Sequence, residues 1–180
     1  MSIVFIALSI LPGLGRATMA LRTTPKASMN IYDQQVQMAR FVAEFYPNSC
    51  VALNDIGAVA YFASPRILDL QGLATVDALR VLRAGEQSTD RLEQFCRDYH
   101  VQIAIVYPAV LRQWGGPPAT WQLAGAWTIS DNVICADNTV HFYAVAPGEG
   151  PRLRDRLRQF ESRLPPTVQA RIGNAANLDN

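Results

Sequence analysis

Charge is scarce in this chain. Asp, Glu, Lys and Arg together make up 17% of its 180 residues, against about a quarter in ordinary globular domains. The balance is nearly neutral, with a net charge of +1. No overall field favours nucleic acid or an acidic substrate, and no basic stripe with interleaved aromatics appears. Histidine is scarcer still, present only as His100 and His141. They stand far apart, with no cysteine at ligand spacing, so no metal site is expected and both read as structural residues. The cysteines are Cys50, Cys96 and Cys135. None forms a C-x-x-C pair, and an odd count cannot be a complete disulfide framework. They read as small buried apolar residues, with one disulfide left open for an extracytoplasmic setting.

Catalytic signatures are missing as well. There is no G-x-S-x-G, no H-E-x-x-H, no phosphate-binding G-x-x-x-x-G-K and no G-x-G-x-x-G. Gly13-Leu14-Gly15 opens like a dinucleotide fingerprint, but no proper strand precedes it and Ala20 lies too far along. No cofactor and no catalytic residue are expected.

A hydrophobic run of full membrane length is also absent. Residues 1–11 (MSIVFIALSIL) carry no charge and end at Pro12. A spanning helix needs about 20 apolar residues, and extension to residue 21 adds Arg16, two glycines and a proline. No basic residue precedes the run, as a signal peptide would require. Residues 1–21 are therefore expected to be the remnant of a transmembrane helix whose beginning is missing. A buried first strand or helix is the alternative. Arg16, Arg22 and Lys26 follow the run, and alone would hint that the next segment is cytoplasmic.

What is present is enough apolar content, 49%, for one globular domain with tails. Residues 22–29 are polar, contain Pro25, and read as a linker. Asn30 is placed to cap a helix reaching Tyr46, with Val36, Ala39 and Ala43 on one strip and Met38, Val42 and Phe45 on another. Residues 50–73 (CVALNDIGAVAYFASPRILDLQGL) read as strand, short helix, strand, with Gly72 allowing the turn. Two helices follow, over 76–84 and from about 89. Residues 101–107 (VQIAIVY) are apolar enough for a central strand covered on both faces. After the loop Gly115-Gly116-Pro117-Pro118, residues 121–129 and 140–145 suggest an antiparallel pair at a sheet edge. Residues 152–164 form a charged helix, and the tail shows little apolar pattern. The expected fold is α/β: a mixed, mainly parallel sheet flanked by helices, with an antiparallel C-terminal strand pair and a partial transmembrane helix in front. The expected division is 1–21, 22–29, a domain over 30–148, and a charged helix and tail over 149–180.

Candidate ligand or interface residues cluster around the two acids. Asp55 follows the first strand of the 50–73 stretch and Asp69 ends the second. If these strands are parallel neighbours, both acids approach one sheet edge, where open α/β sheets place ligand contacts. Such a pair would suit acid–base work or metal binding. The plainer reading is that Asp55 caps the next helix and Asp69 bonds backbone or an arginine. Asn54, Tyr61 and Gln71 lie close by in sequence. Trp114 and Trp121 flank the glycine-proline loop. They either anchor it to the core or stack on a sugar.

The order of these segments resembles a known family. An apolar N-terminal segment is followed by a linker and NIYDQQVQMARFVAEFYP. Then come VALNDIGAVAYFASPRILDLQGLA, an apolar strand ending in YP, and VHFYAV. Over about residues 1 to 146 this is similar to the C-terminal extracytoplasmic domain of bacterial polytopic, mannosyltransferase-like glycosyltransferases that use polyprenyl-phosphate-linked sugars. The resemblance implies chemistry carried by acids in membrane-helix loops that this chain does not contain, so the chain alone is not expected to transfer sugar. It implies an accessory or interaction domain on the extracytoplasmic side, membrane-associated, with a membrane-embedded glycosyltransferase core, the membrane surface, or a lipid-linked sugar or glycan acceptor as partner. The alternatives are an independent small α/β enzyme using Asp55 and Asp69, or a carbohydrate-binding module using Trp114 or Trp121.

Overall fold

The computed structural model describes residues 2–173, with side chains described from residue 13 onward. The expected tail beyond 173, Leu178 included, lies outside the described residues, as do Met1 and the side chains of the apolar run. Six strands form one mixed sheet in the order β2-β1-β3-β5-β4-β6. They are β1 Cys50–Leu53, β2 Arg66–Asp69, β3 Val101–Val106, β4 Gln122–Ile129, β5 Thr139–Ala144 and β6 Val168–Ile172. β2, β1 and β3 run parallel, while β5 is antiparallel to β3 and to β4. The mixed α/β class read from the sequence is the class observed.

The parallel half follows from its connections. The chain leaves β1 through α3 Gly57–Ala63 to reach β2 on one side. It then returns through α4 Val76–Ala84 and α5 Thr89–Asp98 to β3 on the other side. Right-handed crossovers in opposite directions put α3 and the α4–α5 pair on opposite faces of the sheet. β1 is buried at every position, and β3 at every position but Gln102, as strands covered on both faces must be. α6 Pro108–Gln113 starts on a proline, which suits a first helical position.

The antiparallel half differs from expectation in one respect. β5 sits inside the sheet between β3 and β4, and β4 in turn pairs with β6. The pair is therefore not an edge: β6 covers it. The charged helix α7 Glu149–Glu161 is likewise no appendage. It buries Leu153, Leu157 and Phe160. Phe41 of α2 Gln37–Phe45 meets Trp127, Phe142 and Phe160 with ring centroids 5.6–5.8 Å apart. Such ring pairs each add roughly 0.5–1.5 kcal/mol beyond their buried area. Glu149, 3% exposed, accepts from the Tyr46 hydroxyl at 2.7 Å and from Arg156 at 3.1 Å. The boundary expected at 148 thus falls inside one core.

The N-terminal region departs most from the sequence reading. α1 Ser2–Ile31 runs without a break through the segment 22–29 expected as a linker. Asn30 does not cap a new helix but lies in the last turn of α1. A π-helical segment, Tyr32–Val36, joins α1 to α2. The strip expected to be apolar also shifts: Phe41 is buried while Ala43 is exposed. Every residue from 13 to 22 is exposed. Among the described residues no helix is long and apolar enough to cross a membrane.

Candidate functional site

A sheet whose first crossover goes one way and second the other has a switch point, where neighbouring strands lead away to opposite faces. Here it lies between the carboxyl ends of β1 and β3. Asn54 and Asp55 follow β1, and Tyr107 follows β3. Open α/β sheets leave a crevice at this place for a ligand. This chain places its own helix there.

Asn54, 9% exposed, accepts the Tyr107 backbone N–H on its Oδ1 at 2.8 Å. The Tyr107 hydroxyl donates to Gln34 Oε1 at 2.6 Å. Gln34 comes from the π-helical segment and has no exposed surface. Its Nε2 donates to the Asn138 carbonyl at 3.1 Å and the Asp137 carbonyl at 3.3 Å. The neighbouring Gln35 donates from Nε2 to Asp55 Oδ2. One turn earlier, Asn30 accepts the Val133 N–H at 2.9 Å. The β4–β5 loop is thereby tied to the end of α1. A π-helical turn is the local irregularity that lets successive glutamines face different partners, and such turns recur at functional positions.

Burial dominates the electrostatics of this network. Burial pushes the Tyr107 phenol well above the ordinary tyrosine value, and the nearby Asp55 carboxylate adds to the effect. Burial also raises the Asp55 carboxyl, opposed by hydrogen bonds from the Gly57 N–H and Gln35. The Cys135 thiol is pushed up to about 11, mainly by burial. A thiol so far from ionising is a poor nucleophile at neutral pH. The same holds for Cys96, pushed up by burial to about 12, and burial raises Cys50 too. All three cysteines are free and buried. What this arrangement does is hold α1 against the sheet.

The residues singled out from sequence separate accordingly. Asn54 and Asp55 belong to the switch point. Asp69, fully buried, accepts the Gln71 N–H at 2.9 Å on one oxygen and the Ala74 N–H at 2.7 Å on the other. Its own N–H donates to Thr75 Oγ1 at 2.9 Å. Asp69 thus organises the turn after β2, as the plainer of the two sequence readings expects. Gln71 enters that turn through its backbone. Tyr61 stands 80% exposed beside Phe62 on α3. Trp114 is fully buried against Phe95, with centroids 6.1 Å apart. Trp121 is 7% exposed and lies on Tyr143. Both anchor the loop between them, and neither offers an open ring face for a sugar. Gln34, Gln35 and Tyr107 were not among the sequence candidates. The only local hint of them is polar side chains at Asp33, Gln34 and Gln37 within a helix that otherwise buries apolar ones. Among the described residues no group of three or more His, Cys, Asp or Glu could hold a metal ion.

No match was found among curated proteins or among solved structures. A protein-family comparison matches residues 29–143, from the last turn of α1 into β5. The chain belongs to that family, described as a domain of unknown function, DUF8728.

Proposed function

We propose that this chain is a membrane-tethered docking domain that works beside a membrane-embedded glycosyltransferase using polyprenyl-phosphate-linked sugar. The carrying observation is α1: residues 13–22 are exposed throughout, while its last turn is tied through Asn30 to the β4–β5 loop. A lone helix gains little from backbone bonds in water, and most helical stability comes from packing one face on something. Over its described side chains α1 is held at its C-terminal end, and it leads back to the uncharged run 1–11. A helix of 30 residues is about 45 Å long, enough to carry the domain clear of a bilayer surface. Exposed apolar residues surround the seat of α1: Met29, Ile31, Tyr32, Val133 and Ile134. A cluster of this kind suits a protein partner.

In this reading the chain supplies position, not chemistry. Sugar transfer belongs to acids in the partner's membrane loops, and the domain shapes the approach of the acceptor on the extracytoplasmic side. The resemblance carried by NDIGAVAYF and LDLQGL supports that side over the one suggested by Arg16, Arg22 and Lys26. Fractionation of cells expressing the natural gene tests the tether. The protein should stay with membranes through an alkaline wash and be open to protease from the outer face. Recovery in the soluble cytoplasmic fraction would overturn the reading.

A further inference from the structure

We infer that the opposite edge of the sheet holds a binding cleft for an organic oxyanion with an apolar body. The inference is independent of the docking role. The cleft measures about 520 Å³, within the roughly 300–1,000 Å³ of small-molecule sites. It opens where β3 begins and β5 ends, at the amino ends of the parallel strands. α1 is seated at the other edge.

Its walls divide by chemistry. Val101, Val145, Ala146 and Pro147 give an apolar side. Arg97, His100, Gln102 and Trp121 are nitrogen-bearing residues of the remaining lining. The acid in the cleft, Glu93, is already engaged. Its Oε1 accepts from Thr120 Oγ1 at 3.0 Å and faces Arg97 Nη1 at 3.4 Å. Arg97 retains further donors, because a guanidinium carries five. The spare guanidinium donors of Arg97 suit an acceptor-rich head such as a carboxylate, sulfonate or phosphate.

Two further observations point to a ligand. Trp121 lines the cleft, is 7% exposed, and its Nε1–H has no hydrogen-bond partner; Trp114 and Trp127 share that lack, but of the three only Trp121 borders the cleft. Buried donors normally find an acceptor. His100 follows the capping residue of α5 with φ of +53°. At the matching place after α4 the chain uses Gly85, with φ of +69°. Glycine takes this left-handed cap without strain; a side chain takes it at a cost, as Ser64 also does after α3 with φ of +48°. The imidazole at this position lines the cleft and makes no hydrogen bond among the described residues, so the fold gains nothing visible from it. Departures from the unstrained choice gather at functional positions.

Titration of the full chain with anilinonaphthalene sulfonate, an anionic head on an apolar body, tests the cleft. N-phenylnaphthylamine serves as its uncharged counterpart. Saturable binding of one sulfonate per chain is expected, at least tenfold tighter than the uncharged compound. The indole N–H resonance lost in Trp121→Phe should move during the titration. Arg97→Gln and His100→Gly should each weaken binding at least fivefold. His100→Gly should melt no lower than the parent, since glycine relieves the backbone; this separates loss of ligand from loss of fold. Equal binding of the two compounds, parent-like affinity in both variants, or no saturable binding would overturn the inference.

Discussion

Asn54 Oδ1 accepts the backbone N–H of Tyr107 at 2.8 Å, across the carboxyl ends of β1 and β3. The bond closes the crevice that a doubly wound sheet would otherwise leave open. Its consequence is that Tyr107 can point its hydroxyl at Gln34 and hold the start of the domain in place. Asn54→Ala should therefore cost about 1–3 kcal/mol, because a buried N–H loses its acceptor. Asn54→Asp keeps an acceptor and should cost less. Urea midpoints at unchanged slope would check this, and an alanine variant as stable as the parent would remove Asn54 from the lock.

Gly72 makes a second prediction. It sits at φ +73°, and a Cβ there would lie 2.6 Å from Leu79 Cα and 2.7 Å from Leu79 N. Both neighbours are backbone and cannot swing aside. Gly148 has a similar φ of +77° but nothing within 4 Å. Gly148→Ala should cost only the left-handed strain, about 1–2 kcal/mol. Gly72→Ala should cost about 3 kcal/mol or more, since a close clash adds to that strain. Thermal midpoints of the two variants should rank in that order. The comparison gives a physical reason for glycine in the LDLQGL stretch.

Asp55 supplies a dependence on pH. Its folded carboxyl is raised, chiefly by burial, so the folded state disfavours its charged form. The stability this group allows is complete below its unfolded value of about 3.9 and is lost as pH rises through the folded value. Asp55→Asn removes the ionisation. The variant should be more stable than the parent at pH near 7, and the difference should shrink to nothing below about pH 4. Paired melting curves across that range test the sign. A variant less stable at neutral pH would show that the bonds to Gly57 and Gln35 outweigh burial.

The parallel core was legible because its signals are local. Residues 50–53 and 101–106 are apolar runs ended by polar or turn residues, and Asp69 and Gly72 lie within a few residues of the backbone they organise. β6 was missed although Val168, Ala170 and Ile172 alternate with Gln169 and Arg171. Five residues with one side part-covered give a weak pattern beside the stronger helix that precedes them. The segment 22–29 was misread because Pro25 and its polar neighbours look like a linker. Proline disfavours a helix without forbidding one. The lock was not legible at all. Gln34 and Tyr107 are 73 residues apart, and nothing in either neighbourhood announces the other. A π-helical turn further breaks the 3.6-residue period that would have placed Gln34 on a buried face.

The docking role rests on α1 having a partner along its exposed length. A photo-crosslinking residue at Leu21, which is 76% exposed, reports that partner directly when the full chain is expressed in its native cell. The account predicts an adduct to a polytopic membrane glycosyltransferase, lost when the probe is moved to the exposed Arg83 on α4. Adducts only to soluble proteins, or none at Leu21 while the chain is folded and abundant, would contradict it.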